Sequence, residues 1–319
     1  MLKKTQNPWL KSKFKWNGLN RKIHKYIIAH SKNNRPSSGP YISGDGFRSF
    51  ADHVYEDEKL FNKDQVIQKN NFVPEQVKQG DVVFVDARSV KYFFQTLHPQ
   101  IKYKYILITH NADTNIDETY IDFIDDRIIK WFAQNVIIKH EKLIPIPIGL
   151  ENLYYYNNGI TKYFDNLKKK IGQTKKKNRI LYGFSIDTNE NERQGAYTYL
   201  KKSEVADEIQ EKLNSKMYLK LLTDYKFVAS PPGNGVDCIR TWEALYLDVV
   251  PIVKRSVVTE YFSSLGLPML IIDNWQEIEN YTEEQLRDIY DEKLAGFNKK
   301  IPNINYWYKI ILQVKYENQ

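Results

Sequence analysis

From Tyr41 onward the sequence alternates short apolar runs with segments of helical spacing, and this alternation constrains the fold more than any single motif. VVFVDA (82–87), KYILITH (104–110), RILYGF (179–184), KFVAS (226–230), VVPIV (249–253) and PMLIID (268–273) have strand length and strand composition. NVIIKH (135–140) and LIPIPIG (143–149) extend the set as short strands. Between them KYFFQTLH (91–98), NERQGAYTYLKKS, VADEIQEKL and Cys238–Asp248 carry helical patterns. ETYIDFIDDRIIKWFAQ (118–134) places Ile121, Ile124, Ile128, Trp131 and Phe132 at helical spacing and predicts an amphipathic helix. Strands separated by helices pair through crossovers, so the expected class is α/β with mainly parallel sheets.

With 319 residues, 42% of them apolar, the chain can bury one or two cores. The polar, basic run LKKKIGQTKKKNR (167–179) interrupts the alternation, which restarts after it. The expected division is a basic arm over 1–40, a first α/β unit over 41–175 and a second over 176–319. The C-terminal NINYWYKIILQVKYENQ is expected to be a helix that crosses back onto the first unit.

Charge is unevenly placed. Residues 1–35 hold ten Lys/Arg and no acid, against +8 for the whole chain, so everything after Arg35 sums to −2. Interleaved with Trp9, Phe14 and Trp16, that arm suits an anionic membrane surface, where each basic residue contributes about 1 kcal/mol. A solvated leader is the plainer alternative. Nucleic acid is not the expected partner, because no basic face continues into the body. One cysteine, Cys238, excludes an internal disulfide framework. The start lacks the apolar core of a signal peptide, and no run approaches a membrane span. The expected location is the cytoplasm, at the inner membrane face if the arm engages lipid.

The segment FVASPPGNGVDCIRTWEALYLDVVPIVK (227–254) carries the chemistry. A strand ends at Ser230, and a loop holding Gly233, Asn234 and Gly235 leads into a helix for which Asp237 is the expected N-cap. Arg240 falls in the first turn, where the helix dipole disfavours a cation by roughly 0.3–1 kcal/mol. Glu243 lies one turn on, and Ile239, Trp242, Leu245 and Tyr246 form the buried stripe. An anion at the helix start turns Arg240 into a charge-assisted donor worth roughly 1.5–3 kcal/mol, and Glu243 can then accept from a ribose diol. The pair suits a nucleotide diphosphate. The same spacing also fits a plain intrahelical Arg–Glu pair.

SPPGNGVDCIRTWEALYLDVVPIV resembles the donor-binding motif of the exostosin-type glycosyltransferases, among them relatives of the ribitol xylosyltransferase: a Ser-Pro-Arg-Gly loop, an arginine, Glu-Ala-Leu, then a Pro-Ile/Val strand. Looser similarity extends to YISGDGFRSFADHVYEDE (41–58), WFAQN (131–135), IPIGLEN (146–152) and YGFSIDTN with Arg193. The resemblance implies a GT-B fold, two facing Rossmann-like domains with the donor held by the second. It also implies transfer of a sugar, expected from a UDP-linked donor, onto a glycan or polyol-phosphate acceptor, lipid-linked ones included, with inversion. Arg240 would contact the diphosphate and Glu243 the ribose. Pro232 departs from the pattern where many members carry arginine, and Lys254 or Arg255 would replace that contact.

In the first unit, SGDGFRSFADH (43–53) is a glycine-containing turn entering a helix. Asp45 is the candidate general base, with an Asp-Gly turn as its alternative, and Arg48 a candidate for binding the acceptor. At the end of KYILIT, His110 is a second candidate base and Asp113 a second acceptor contact. Asn189 and Arg193 are expected to line the cleft from the second unit. No Asp-x-Asp occurs, and the histidines and cysteine lack ligand spacing, so no metal is expected. A non-catalytic carbohydrate- or polyanion-binding protein, or a nucleotide-sugar epimerase, would share these features.

Overall fold

A computed structural model describes residues 35–57, 71–155, 158–173 and 175–318. The basic arm therefore lies outside the described residues up to position 34.

Two five-stranded sheets, parallel at every pairing among the described residues, organise the chain. The α/β class with two parallel sheets is the one the alternation called for. The short helix α1 (Gly44–Phe50) precedes the first sheet, which runs β1 (His53–Tyr55), β2 (Val82–Asp86), β3 (Tyr105–His110), β4 (Ile128–Ala133) and β5 (Leu143–Pro145) in sequential order. Every residue of β2 and β3 is buried, as a central parallel strand covered on both faces requires. Helix α2 (Thr161–Lys168) and the basic run lead to the second sheet.

There β6 (Lys177–Tyr182), α3 (Glu190–Lys202), β7 (Ala206–Glu208), α4 (Ser215–Leu222), β8 (Tyr225–Ala229), α5 (Ile239–Tyr246), β9 (Val250–Lys254), α6 (Val257–Ser264) and β10 (Leu270–Ile272) follow in sequence. In space the order is β10-β9-β8-β6-β7. The chain leaves β6 toward β7 on one side and returns as β8 on the other. That reversal opens a crevice at the carboxyl ends of β6 and β8, where open α/β sheets bind ligands.

Side-chain alternation divides the second sheet into two faces. Ile180, Tyr182, Phe227, Ala229, Val250 and Ile252 pack in one cluster. Leu181, Val228 and Val253 join a larger cluster that continues into the first sheet. Helix α5 bridges the two: Trp242, Leu245 and Tyr246 are buried in the shared cluster, and the Ile42 N–H donates to the Tyr246 hydroxyl at 2.8 Å. After α7 (Glu283–Ala295), the last helix α8 (Ile304–Glu317) returns to the first unit. The Tyr308 hydroxyl donates to the Gly46 carbonyl at 2.7 Å, and Lys315 pairs with Asp52 at 2.7 Å.

Three expectations are corrected. Residues 118–134 are not a helix: Glu118–Phe123 is a 3₁₀ turn, and Ile128–Ala133 is the strand β4. The spacing of Ile128, Trp131 and Phe132 suited a helix, but a strand buried on both faces needs no strict alternation. VADEIQEKL forms the edge strand β7 rather than a helix, and NVIIKH is a turn with one bridge, Ile116 to Val136, rather than a strand. KYFFQTLH is helical as expected, as an α turn (Val90–Tyr92) followed by a π turn (Phe93–Leu97).

Candidate active site

The crevice at the β6/β8 reversal is a cavity of about 700 Å³. Gly183 and Phe184 line it from the end of β6, Arg193 from α3, Gly233–Gly235 from the loop after β8, and Arg240 and Glu243 from α5. Asp113 and Ile148 close it from the first sheet's side, so the carboxyl edges of both sheets face one space.

Two guanidinium groups, Arg193 and Arg240, line it together with Lys212 and the carboxylates of Asp113, Glu208, Glu211, Asp237 and Glu243. Arg193 Nε donates to the Pro232 carbonyl at 2.9 Å and its Nη1 to the Ser185 carbonyl at 2.8 Å. Arg240 Nη2 donates to the Gly183 carbonyl at 2.8 Å. Both sit over the Phe184 ring, 5.7 and 5.8 Å from its centroid. Among the described residues neither has a carboxylate within 4.0 Å. The intrahelical Arg240–Glu243 ion pair is therefore not formed. Burial and the Arg240 charge pull Arg193 below its ordinary value. The two like charges are held near each other by carbonyls and an aromatic face, with no carboxylate of a described residue in ion-pair contact.

Glu243 is buried, and that burial pushes its carboxyl up to about 7, with Arg240 opposing the shift and Glu151 adding to it. The buried Tyr218 hydroxyl, in the electrostatic reach of Arg240 and Glu243, makes no hydrogen bond of standard geometry.

Asp237 is not the N-cap. Cys238 holds that position with no side-chain cap among the described residues, and Cys238, Ile239 and Arg240 at the start of α5 line the cavity. Asp237 instead accepts the Ile148 N–H at 2.8 Å and the Trp242 indole N–H at 2.9 Å. The loop glycines answer to side chains. A Cβ on Gly233 would stand 2.8 Å from Arg193 Nη2, and one on Gly235 would stand 2.5 Å from Asn135 Nδ2 of the first unit. Asn189 holds this loop, donating to the Gly233 carbonyl at 2.9 Å.

A second cavity of about 720 Å³ abuts the first and shares Asp113, Ile148 and Ile239 with it. It lies at the carboxyl ends of β3 and β4, with His110, Asn111, Gln134, Glu151 and Asn152 in its wall.

The candidate residues divide accordingly. Gly233, Asn234, Gly235, Arg240 and Glu243 line the first cavity, and Arg193 lines it with them. Ser230 is one step removed, buried with its hydroxyl 2.9 Å from that of Thr241. Lys254 turns away and pairs with Glu192 at 2.6 Å, while Arg255 pairs with Asp273 and Glu260. The guanidinium beside Pro232 is that of Arg193, not one from the strand β9.

In the first unit, Asp45 is 1% exposed, outside the lining of both cavities and engaged by Arg35, whose Nε donates to it at 2.9 Å. Arg48 is buried against Glu56 at 3.1 Å and belongs to the same charge network. Neither lines either cavity. His110 lines the second cavity, but both ring nitrogens are engaged: Nε2 at 3.0 Å from the Pro147 carbonyl, to which it donates, and Nδ1 accepting the Asn111 N–H at 2.6 Å. Burial lowers its pKa to about 4. Asp113 is exposed on the rim that the two cavities share and accepts from Asn234 Nδ2 at 3.2 Å.

The sequence reading missed Phe184 and Tyr218. Phe184 was marked only by its place at the end of RILYGF, and nothing local marked Tyr218.

No family model matches the sequence, and no curated protein matches it. Among solved structures, the chain is similar to an α,α-trehalose 6-phosphate synthase from Burkholderia multivorans, with a TM-score of 0.43 and 7% identity over 76% of this chain and 71% of that one. A UDP-forming α,α-trehalose-phosphate synthase from Burkholderia xenovorans aligns with a TM-score of 0.42 and 8% identity over 76% and 75% of the two chains.

Among the described residues no group of three or more His, Cys, Asp or Glu is placed to hold a metal ion, and no helix is long and apolar enough to cross a membrane.

Proposed function

We propose that this chain is a GT-B glycosyltransferase that moves a sugar from a nucleoside-diphosphate donor, UDP-linked by the resemblance in its motif, to a hydroxyl of an acceptor. One observation carries the reading: Arg193 and Arg240, both on the Phe184 ring and both without a carboxylate partner among the described residues, face one cavity at the sheet's reversal point. Two unpaired guanidiniums repel each other, and a diphosphate between them converts that repulsion into charge-assisted hydrogen bonds. The uncapped start of α5 adds backbone N–H groups and the positive end of a dipole. Glu243, deeper in the cavity, supplies the acceptor for a ribose hydroxyl.

The acceptor hydroxyl oxygen attacks the anomeric carbon, the bond from that carbon to the diphosphate oxygen breaks, and the nucleoside diphosphate stays on the two arginines. A carboxylate takes the hydroxyl proton. Asp113 is the group we assign to this step, because it lies on the rim common to both cavities. Asp45 is ion-paired away from them, and His110 offers no free ring nitrogen. Single displacement with inversion follows from the resemblance. The arginine pair supplies fixed positive charge against the leaving group, so the reading calls for no divalent ion.

A thermal-shift screen of nucleoside diphosphates and nucleotide sugars, with and without EDTA, tests it. A ligand at 100 times its Kd stabilises by about 2.7 kcal/mol. UDP and its sugars are expected to raise the melting temperature, EDTA to leave the shift intact. A chain that responds to no nucleoside diphosphate is not this enzyme.

A further inference from the structure

The two adjoining cavities differ in the cations they offer a ligand. In the second, the cation among the described lining residues is Arg88, and its guanidinium is engaged by Asp86, Nε and Nη2 each donating at 2.8 Å. Two carboxylates, Asp113 and Glu151, share that wall. His110 adds no positive charge near neutral pH, since burial keeps it unprotonated and its contacts fix the tautomer. The remaining polar lining is largely amide. Asn152 Nδ2 donates to Asn111 Oδ1 at 2.9 Å, and Asn152 Oδ1 accepts the Asp45 N–H at 2.8 Å, so this pair is held rigidly. Gln134 is 2% exposed, and its buried Oε1 accepts no hydrogen bond within the protein. A buried carbonyl oxygen left this way carries a desolvation cost that a ligand donor removes.

We infer that this second cavity takes an uncharged polyhydroxyl acceptor, a sugar or sugar alcohol, and disfavours a phosphorylated one. The inference rests on the glycosyl-transfer reading and adds the chemical class of the acceptor. A hydroxyl both donates and accepts, so it can satisfy Gln134 Oε1 and a carboxylate with one face and an amide N–H with another. A phosphate only accepts near neutral pH. It would meet two carboxylates and an arginine already held by an acid, and like charges brought together are unfavourable. The first cavity also holds carboxylates, Asp113, Glu208, Glu211, Asp237 and Glu243, but its arginines 193 and 240 have no ion-paired acid among the described residues. This difference in available cations assigns diphosphate to one side and neutral hydroxyls to the other.

The test uses the full chain and begins with nucleotide binding, measured separately by thermal shift. With the chain saturated by the nucleotide that stabilises it, saturation-transfer NMR compares glucose and sorbitol with glucose 6-phosphate and sorbitol 6-phosphate. The neutral pair is expected to bind about tenfold tighter or better. Gln134→Leu is expected to weaken the neutral pair about tenfold. Asp113→Asn combined with Glu151→Gln, at half-buried or exposed positions, is expected to narrow the preference to about threefold or less whether or not the Gln134 variant folds. Equal or tighter binding of the phosphorylated pair to the wild-type chain overturns the inference, as does a nucleotide-loaded chain that binds none of the four. A chain that takes no nucleotide fails at the first step and removes the glycosyl-transfer reading itself.

Discussion

The Asp237 carboxylate, on the loop entering α5, accepts the backbone N–H of Ile148 from the first unit at 2.8 Å. The contact ties the two sheets together at the wall of the first cavity, and the Trp242 indole N–H holds the same carboxylate from below at 2.9 Å. Asp237 is wholly buried, and burial raises its pKa to about 7 against the hydrogen bonds from Ile148, Trp242 and Cys238.

That shift predicts a pH dependence of stability. Asp237 and Glu243 both have folded-state values near 7, well above the unfolded range near 4. Between these limits the folded chain binds more protons than the unfolded chain, so stability increases as pH falls from 7 toward 5. Each group contributes at most about 1.4 kcal/mol per pH unit in that window. His110, lowered to about 4 by burial, and His98, also lowered by burial, oppose this below about pH 6.5 and reduce the net gain, because the unfolded imidazoles take up protons there that the folded ones do not. Asp52, Asp125 and Asp207, lowered by their Lys and Arg partners, act in the same opposing sense only below about pH 4. Urea midpoints at pH 5.5 and 7.5 check this. Asp237→Asn should flatten the dependence by half or more, because the two histidines then oppose Glu243 alone, and a wild-type midpoint that rises with pH over this range contradicts it.

Arg193→Ala and Arg240→Ala should each weaken nucleoside-diphosphate binding about tenfold or more while the fold persists, since each loses a charged donor worth at least about 1.4 kcal/mol. Lys254→Ala, which removes a surface pair with Glu192, should leave affinity within about twofold. Calorimetric titration of the three variants with UDP distinguishes them. Equal losses in all three would point to a diffuse basic surface rather than a paired-arginine site.

Asp113 and Asp45 should separate turnover from stability. Asp113→Asn is expected to keep the melting temperature and nucleotide affinity and to lower turnover about a hundredfold or more. Asp45→Ala takes one of the carboxylates from buried Arg35, and should cost about 3 kcal/mol of stability. Thermal melts beside an assay of released nucleoside diphosphate make the comparison. Undiminished turnover in Asp113→Asn would remove it as the base.

Gly235→Ala drives a methyl group into the Asn135 amide and should destabilise by about 1–3 kcal/mol. Asn135 has a positive φ of 55°, which glycine adopts without strain, so Asn135→Gly combined with Gly235→Ala should cost less than the two single changes together. Additive costs in a urea double-mutant cycle would mean that the two residues do not meet.

What the sequence by itself determined was local. Runs such as VVFVD and YILITH admit little other than buried strands, and their separation by helical segments requires parallel pairing. The arginine in the first turn of α5 pointed to an anion because the dipole there is set by the backbone alone. Which groups meet across the molecule was not legible. Ile128–Ala133 satisfied a helical period and a buried strand equally, and only its place between β3 and β5 chose the strand. Asp237 had the composition of a cap, yet the Ile148 amide, 89 residues away in sequence, claimed it. Asp45 and Arg48 were drawn into a charge network with Arg35 and Glu56, a pairing that no local spacing encodes. Backbone hydrogen bonding and side-chain periodicity act over a few residues, so sequence fixes them. A site assembled from Phe184, Arg193, Arg240 and Asp113 depends on which strand ends the sheet order brings together, and only the folded chain decides that.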